Sequence, residues 1–298
     1  MKVAAAQYPL MIQSSFDAWK KYMERWVREA VKSSVDIVLF SEYGSLDLVS
    51  LFPLNIKSNF SLQVFELQHF YTEINSFFTK LAQDYRVILI SPSFPTPYLN
   101  KIINRVKVYS PSGFVGNQDK IFITKPEKDN WNIQSGDPIL NIFETIHGNF
   151  GIQICYDIEF PLGAKLLAES GADVIFVPSC TKTIQGAYRV HLGARARAME
   201  CQIYTVVAQT IDRCDWLPTL QENYGFSAAY STPDAGFSDD GIITQGTPQT
   251  KSWVFVDLDL EKLKIVRKHG KTSGFQDSKL IHMNLTNHPL TVRRIRVS

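Results

Sequence analysis

The sequence predicts an α/β fold in which mostly parallel strands are covered by helices. Short apolar segments alternate along the chain with longer segments whose apolar residues recur at helical spacing, a pattern typical of βαβ units. Several of the short segments are continuously hydrophobic, which indicates strands buried on both faces. The 298 residues, 45% of them hydrophobic, supply enough apolar material for a large core.

The N-terminal half is predicted to begin with a strand–helix–strand unit and to continue with a second helix and strand. In chain order these elements are the strand Val3 to Gln7, the helix Phe16 to Lys32, the strand Asp36 to Phe40, the helix Val64 to Tyr85 and the strand Val87 to Pro92. Two further β segments flank Ser110-Pro111-Ser112-Gly113, which favours a hairpin. Lys120 lies on the second strand of this hairpin.

The C-terminal half repeats the alternation and ends in shorter β segments and a closing helix. The predicted elements are a strand that ends at Cys155, the helix Leu162 to Ser170, the strand Val174 to Pro178, the helix Tyr188 to Cys201, the strand Tyr204 to Ala208, short β segments from Phe226 to Asp257 and the helix Leu258 to Arg267. We find no linker or repeat. We therefore expect a single domain over residues 1–275 and a C-terminal extension or arm over 276–298.

Composition and charge exclude several classes of protein. A formal net charge of +2 is too small to indicate a nucleic-acid or anionic-membrane surface. No apolar run approaches the ~20 residues of a membrane span, and the N-terminal apolar stretch is too short for a signal peptide. The four cysteines and six histidines lack metal-ligand spacing. These observations predict a cytosolic protein without a metal, a nucleic-acid partner or a membrane partner.

Three residues at predicted strand ends suggest a catalytic thiol with two charged helpers. Cys155 ends a strand that breaks into a sharp turn and then a helix, an arrangement that leaves the turn side chain beside free backbone N–H groups. A neutral thiol is a poor nucleophile, and Glu42 could be the base that takes its proton. Lys120 and the backbone N–H of Tyr156 could then stabilise a developing oxyanion.

Each of these residues also has a structural interpretation. A single cysteine at a strand end is more often a small core residue, Glu42 could cap a segment or pair with an arginine, and Lys120 could be a solvated edge residue. The chain could be a binding protein without turnover. Cys155 could also be a redox-sensing thiol that forms a disulfide with Cys180. The conjunction of all three residues favours catalysis over these alternatives.

That conjunction resembles the nitrilase superfamily of carbon–nitrogen hydrolases. The resemblance covers about residues 1 to 270. The matching segments are Phe40-Ser41-Glu42, Asp119-Lys120-Ile121-Phe122, Ile154-Cys155-Tyr156-Asp157-Ile158-Glu159-Phe160-Pro161, Gly171-Ala172-Asp173-Val174-Ile175, Arg195-Ala196-Arg197-Ala198-Met199-Glu200 and Asp257-Leu258-Asp259-Leu260-Glu261. The segments Ser45-Leu46-Asp47-Leu48, Asp240-Gly241-Ile242 and Gln245-Gly246-Thr247-Pro248 are similar to a branch often fused to an acyltransferase domain.

The resemblance implies a four-layer α-β-β-α sandwich and a hydrolase without a cofactor. Glu42, Lys120 and Cys155 would be the base, the oxyanion-stabilising lysine and the nucleophile. The substrate would be a small-molecule amide, with nitrile or carbamoyl compounds as alternatives, cleaved through an acyl-thioester. Related chains commonly form homodimers, which we expect here as well.

The resemblance also points to two further residues. Glu127 would be a second active-site glutamate, although a loop salt bridge with Lys125 or Lys128 is its structural alternative. Cys180 could line the pocket, and a packed thiol is the alternative for that residue. The sequence departs from the commoner family pattern at Tyr188-Arg189-Val190-His191, so the resemblance does not extend to a particular substrate.

Overall fold

The computed structural model describes residues 1–278 and residue 294 of the chain. The strands, in chain order, are β1 (Lys2–Pro9), β2 (Ile37–Leu39), β3 (Ile88–Ile90), β4 (Phe94–Tyr98), β5 (Lys101–Ser110), β6 (Gly113–Asp119), β7 (Ile142–Thr145), β8 (Gly148–Ile152), β9 (Val174–Cys180), β10 (Tyr204–Ile211), β11 (Ala228–Tyr230), β12 (Ile242–Gln245) and β13 (Ser252–Asp257). The α-helices include α1 (Phe16–Val31), α2 (Leu54–Lys57), α3 (Phe60–Leu67), α4 (Tyr71–Tyr85), α5 (Lys125–Trp131), α6 (Pro161–Glu169), α7 (Ile184–Cys201) and α8 (Leu260–His269). Short 3-10 helices occupy Gly44–Leu51, Gln68–Phe70, Cys155–Glu159 and Pro218–Leu220.

The strands form two sheets that are joined along β1 and β10. The first sheet has the order β4-β5-β3-β2-β1, with β6 beside β5 and β13 beside β1. The second continues as β10-β9-β8-β7, with β11 beside β10 and β12 beside β11. Strands β1, β2 and β3 are parallel, and so are β10, β9 and β8. β1 and β10 pair only at their last residues, where Tyr8 lies opposite Thr210. The carboxyl ends of both parallel groups therefore meet in one place.

Side chains of β1 alternate between two hydrophobic clusters. Val3 and Ala5 pack in a cluster that also contains the apolar residues of β8, β9 and β10, so the two sheets face each other. Ala4 and Ala6 pack instead in a cluster with the buried face of α1 and α4. Helices α6 and α7 contribute apolar residues around the second sheet. The result is the predicted four-layer α-β-β-α sandwich.

The helix predicted from Val64 to Tyr85 is wrong as a single element. It is divided into α3 and α4 by a 3-10 turn, Gln68–Phe70. The turn places the ring of Phe70 4.8 Å from that of Phe16 and 6.1 Å from that of Phe52. Gln68 also donates its side-chain amide to the carbonyls of Val64 and Pro95. Tertiary packing, which the local pattern does not record, divides the helix here.

Most of the other predicted elements are present, with shifted ends. Strand β4 is not predicted from the sequence because Pro95 and Pro97 argue against a strand, yet it is an edge strand, where proline is tolerated. The predicted C-terminal arm lies outside the described residues except for 276–278 and 294, and the domain boundary at residue 275 stays a prediction. No helix in the described part of the chain is long and apolar enough to span a membrane.

Candidate active site

Glu42 lies three residues beyond the end of β2 and is almost completely buried. Its position depends on a sharp turn, because Tyr43 has a left-handed backbone with φ of 58°. Glu42 Oε1 accepts hydrogen bonds from Lys120 Nζ and from Asn104 Nδ2, both at 2.8 Å. Oε2 accepts the backbone N–H of Cys180 at 2.8 Å. Three separate elements thus hold this carboxylate in one orientation.

Lys120 directly follows β6, one residue beyond the strand on which it was predicted to lie. Its ammonium is 1% exposed and lies 2.8 Å from Glu42 Oε1 and from both carboxylate oxygens of Glu127. Burial alone would lower the pKa of Lys120, but the negative charges of Glu127 and Glu42 outweigh it and raise that pKa well above its usual range. Lys120 is therefore a permanently charged ammonium between two carboxylates.

Glu127 lies in the first turn of α5 and is a buried member of the site. Its Oε2 accepts the backbone N–H of Thr124 at 2.9 Å and the Thr124 hydroxyl at 2.7 Å, which closes a capping box. The Tyr43 hydroxyl donates to Oε1 at 2.8 Å. The sequence-based alternative, a loop salt bridge with Lys125 or Lys128, is wrong for this residue, because Glu127 pairs with Lys120.

The two carboxylates have opposite electrostatic environments. Burial is the largest influence on each and favours the neutral acid. For Glu127, the charge of Lys120 and the hydrogen bonds from Lys120 and Thr124 outweigh burial, so the pKa is lowered. For Glu42, burial prevails over the attraction of Lys120, and the nearby charge of Glu127 adds to it, so the pKa is raised to about 7. The pKa of Glu42 is therefore the higher of the two.

Cys155 is the first residue of the 3-10 turn that follows β8, and its φ of 50° is left-handed. Such a conformation costs a non-glycine residue on the order of 1–3 kcal/mol and is retained where surrounding contacts enforce it. The Sγ atom lies 3.6 Å from the carbonyl oxygen of Cys180. Burial, followed by the negative charge of Glu42, raises the pKa of the Cys155 thiol. The raised pKa favours the neutral thiol at Cys155.

The remaining predicted site residues lie around Cys155. Cys180 is the last residue of β9, and its Sγ is 3.2 Å from Asn223 Oδ1. The backbone of Cys180 contacts both Glu42 and Cys155: its N–H donates to the Glu42 carboxylate, and its carbonyl oxygen lies beside the Cys155 thiol. Tyr156 follows Cys155 in the turn, and its ring packs edge-on against that of Phe160 at 4.9 Å.

A cavity of about 720 Å³ opens above these residues. Its walls come mainly from α5, the Cys155 turn, the start of α7 and the segment 218–222. The lining includes Glu42, Lys120, Glu127, Cys155, Tyr156, Cys180, Lys125, Lys182, Arg189, Glu159 and Glu222. The four residues predicted to be catalytic, together with Tyr156 and Cys180, all lie on the wall of this one cavity.

Two polar residues of the site were missed by sequence reasoning. Asn104, on β5, is fully buried and donates to Glu42, and Tyr43 donates to Glu127. Asn104 lies within the antiparallel strand β5, and nothing in the local sequence distinguishes it from strand residues that have no role in the site. Tyr43 directly follows Glu42, and this adjacency was a usable signal.

No group of three or more His, Cys, Asp or Glu side chains in residues 1–278 and 294 could hold a metal ion.

Comparisons with known proteins identify the class to which this fold and site belong. The family model for carbon–nitrogen hydrolases matches residues 2–268. The probable hydrolase YhcX of Bacillus subtilis is 32% identical over 279 residues, which cover 94% of this chain and 54% of that protein. The omega-amidase NIT3 of Saccharomyces cerevisiae is 29% identical over 158 residues, 50% of this chain and 52% of that protein. The chain thus spans about half the length of these curated relatives.

A solved structure supports the same fold. The carbon–nitrogen hydrolase of Helicobacter pylori G27 superposes with a TM-score of 0.77 at 16% identity, covering 97% of this chain and 98% of that one. This chain belongs to the carbon–nitrogen hydrolase family, within the nitrilase superfamily.

Proposed function

We propose that this protein hydrolyses a non-peptide carbon–nitrogen bond, the amide of a small molecule, with Cys155 as the nucleophile. The observation that carries the proposal is the charge arrangement at the floor of the cavity. One buried ammonium, Lys120, bridges two carboxylates at 2.8 Å, and the carboxylate with the raised pKa, Glu42, is linked through the backbone of Cys180 to the thiol. A carboxylate, an ammonium and a thiol thus line one pocket, and these are the groups that the proposed reaction uses as base, cation and nucleophile.

The first half-reaction forms an acyl-enzyme. Glu42 takes the proton of the Cys155 thiol as Sγ attacks the amide carbon and forms a C–S bond. The carbonyl oxygen becomes an oxyanion, which the Lys120 ammonium and the backbone N–H of Tyr156 stabilise. The tetrahedral intermediate collapses, the C–N bond breaks, and Glu42 returns its proton to the leaving nitrogen. Ammonia or an amine departs, and the acyl group remains on Cys155 as a thioester.

The second half-reaction returns the enzyme to its starting state. Glu42 takes a proton from a water molecule, whose oxygen attacks the thioester carbon. The second tetrahedral intermediate expels the Cys155 sulfur, which regains its proton from Glu42, and a carboxylic acid is released. Glu127 keeps Lys120 charged and oriented in both steps, because it binds the ammonium through both of its oxygens.

The charges of the cavity wall favour an amide that also carries a carboxylate. Arg189 pairs with Glu159 at 3.4 Å, and Glu222 pairs with Arg213. Lys125 and Lys182 also line the cavity, and neither makes a salt bridge with a residue that the structure describes. The cavity is thus lined by two unpaired ammonium groups. Each carboxylate of its lining is paired, either with Lys120 or with an arginine. An anionic group on the substrate would be attracted there.

Nitriles and N-carbamoyl compounds are alternatives that the same three residues could process. Nitrile hydrolysis also starts with attack of the thiol on an electrophilic carbon, and it leads to the same thioester. A nitrile and an amide both yield a carboxylic acid and ammonia, so turnover of each compound tested separately distinguishes them, whereas a carbamoyl compound also releases CO₂. The redox alternative is less well supported, because the Cys180 thiol is directed to Asn223 and not to Cys155.

A homodimer is also part of the proposal. Helix α7 exposes Ile184, Tyr188 and Leu192, spaced four residues apart on one face, and α6 exposes Leu162 and Leu166. An apolar face of this kind is suited to self-association. The cytosolic location expected from the sequence stays a prediction.

Labelling of the cysteines tests the proposal without knowledge of the substrate. Wild-type protein and the Glu42→Gln and Lys120→Ala variants are treated with iodoacetamide near pH 7, and peptide mass mapping gives the rate at each cysteine. We expect Cys155 to react fastest in the wild type and more slowly in Glu42→Gln. Ammonia release is then screened with amides, nitriles and carbamoyl compounds. If Cys155 reacts no faster than Cys201 and Cys214 and no compound is turned over, the proposal fails.

A further inference from the structure

Asp157 is the third residue of the 3-10 turn that begins at Cys155, and it takes no part in the proposed chemical steps. Its side chain is buried, and each of its oxygens accepts backbone N–H groups. Oδ1 accepts from Phe122 at 2.7 Å and from Ile121 at 3.2 Å, and Oδ2 accepts from Ile154 at 3.1 Å. The donors belong to two segments of the chain that are more than 30 residues apart. One carboxylate therefore ties the two segments together.

The donors stand next to the two residues whose separation matters for the chemistry. Ile121 directly follows Lys120, and Ile154 directly precedes Cys155. Because each peptide unit is planar and rigid, the bond to the Ile121 N–H also fixes the carbonyl and Cα of Lys120, and Asp157 itself stands two residues after Cys155 in the same 3-10 turn. The Asp157 carboxylate thus sets the position of the Lys120 backbone against that of Cys155.

A carboxylate is the side chain suited to this position. Every partner is a donor, so both oxygens must act as acceptors. Burial raises the pKa of Asp157 to about 7, and the hydrogen bond from Phe122, the charge of Lys120 and the other backbone hydrogen bonds oppose that rise. An asparagine would keep the shape but would turn an NH₂ group toward one of the donors. The network would then lose at least one bond.

Other contacts hold the Cys155 turn elsewhere. Arg197 Nη1 donates to the carbonyl of Ile158 at 3.2 Å, and a Cβ added at Gly193 would come within 2.9 Å of the same oxygen. These contacts fix the turn against α7 and do not involve Lys120, Ile121 or Phe122. The ring of Phe122 stacks on that of Phe160 at 4.0 Å, which adds a contact between the segment that follows Lys120 and the end of the Cys155 turn.

We infer that Asp157 is a positioning residue that keeps the Lys120 ammonium and the Cys155 thiol at their working separation by binding the backbone of both segments. The inference rests on the proposed function, since it concerns the geometry of that reaction. A purely local role, as a cap of the 3-10 turn through Ile154, would need no bond to Ile121 or Phe122.

The first test replaces Asp157 by asparagine and uses Asp137→Asn as the matched control. Asp137 is a half-exposed carboxylate that pairs with Lys101 away from the cavity. The readouts are the rate of Cys155 alkylation by iodoacetamide, kcat and KM for an amide substrate, and thermal unfolding. We expect Asp157→Asn to lower both the alkylation rate and kcat by roughly tenfold to a hundredfold with little change in KM, because small displacements of reacting groups are costly.

The second test works even if Asp157→Asn does not fold. Phe122→Pro removes the N–H donor and the ring, whereas Phe122→Ala removes only the ring. Phe122 is partly exposed, so both changes avoid the core. We expect alkylation of Cys155 and kcat to be lower in Phe122→Pro than in Phe122→Ala, by roughly tenfold.

The outcomes separate this inference from the proposed function. If Cys155 of the wild type is not activated and no amide is turned over, the proposed function fails. If the wild type is active, the inference is overturned when folded Asp157→Asn behaves as Asp137→Asn does, or when Phe122→Pro and Phe122→Ala are equally active. Loss of activity only in proportion to lost folded protein would also overturn it, since a structural cap would give that result.

Discussion

Lys120 Nζ lies 2.8 Å from both carboxylate oxygens of Glu127 but contacts only Oε1 of Glu42. This asymmetry gives the two glutamates of one pocket pKa values that are shifted in opposite directions. Glu127 takes most of the stabilisation from the ammonium and stays ionised, and its charge helps to keep the pKa of Glu42 high. Environments that push two pKa values apart divide the tasks between two carboxyl groups.

The first prediction concerns this division. Glu127→Gln should lower the pKa of Glu42, because the variant removes a negative charge beside it and leaves Glu42 as the sole carboxylate partner of Lys120. We expect the acidic limb of the kcat/KM profile to move to lower pH, together with a lower kcat because Lys120 is less firmly held. A pH–rate profile of both proteins measures the shift. An unmoved acidic limb would contradict the assignment of separate roles.

The second prediction is the pH dependence of the wild type. Glu42 must be ionised to accept a proton, and its pKa is raised to about 7. Activity should therefore be low at pH 5 and should rise with pH through about 7. Glu42→Gln should lower kcat by roughly 10²- to 10⁴-fold and leave a profile without that limb. A limb that persists unchanged in Glu42→Gln would assign it to another group.

The third prediction separates the two thiols of the site. Cys180 contributes its backbone N–H to Glu42 and its carbonyl to Cys155, whereas its side chain contacts Asn223. Cys180→Ala keeps the backbone groups, so we expect kcat within about threefold of the wild type, and Cys155→Ala should abolish turnover. Circular dichroism controls for folding. If Cys180→Ala were as inactive as Cys155→Ala, the thiol of Cys180 would take part in the chemistry.

The fourth prediction uses the unpaired lysines of the cavity wall. The monoamide of a dicarboxylic acid should have a lower KM than the neutral amide in which a methyl group replaces the carboxylate. Lys182→Ala and Lys125→Ala should raise KM for the anionic amide by roughly threefold to tenfold each, with little effect on the neutral one. Because the lysines are exposed, added salt should reduce the difference. Lys80→Ala is a control, since Lys80 is an exposed lysine that pairs with Asp84 on α4 and does not line the cavity.

Sequence reasoning located the strand-end residues of the site for a physical reason. Parallel strands gather their carboxyl ends at one edge of a sheet, so the sequence alone predicts that Glu42 and Cys155 lie together. Glu127 came only from the family resemblance, because its partner Lys120 lies on a different element. Asn104 was not found, since its contact with Glu42 depends on the pairing of β5 with neighbouring strands.

The fold was predictable to a similar extent. Continuous apolar runs predicted the central strands, because a strand that is buried on both faces requires apolar residues at nearly every position. The division between α3 and α4 depends on where Phe70 packs, and β4 depends on tolerance of proline at a sheet edge. Both features follow from contacts between distant segments, which a local pattern does not contain.

The last prediction concerns stability and a buried carboxyl outside the cavity. Asp47 is fully buried, and its oxygens accept the Tyr8 hydroxyl and, at 2.6 Å, the backbone N–H of Met11. Burial raises the pKa of Asp47 to about 8 from an ordinary value of 3.8, against the effect of these hydrogen bonds. Between those pH values the folded state retains a proton that the unfolded chain releases. The free energy of unfolding should therefore fall as pH rises from about 4 to about 8.

Asp47→Asn tests this dependence, because asparagine is neutral in both states. Its amide can donate to the Tyr8 oxygen, while the Tyr8 hydroxyl still has Met23 Sδ at 3.1 Å as an acceptor. We expect the urea midpoint of the variant to be close to that of the wild type at pH 5 and above it at pH 8.5. Glu42 and Asp157 titrate in both proteins, so the difference between the two curves isolates Asp47. A difference that does not change with pH would mean that Asp47 is ionised in the folded protein throughout this range.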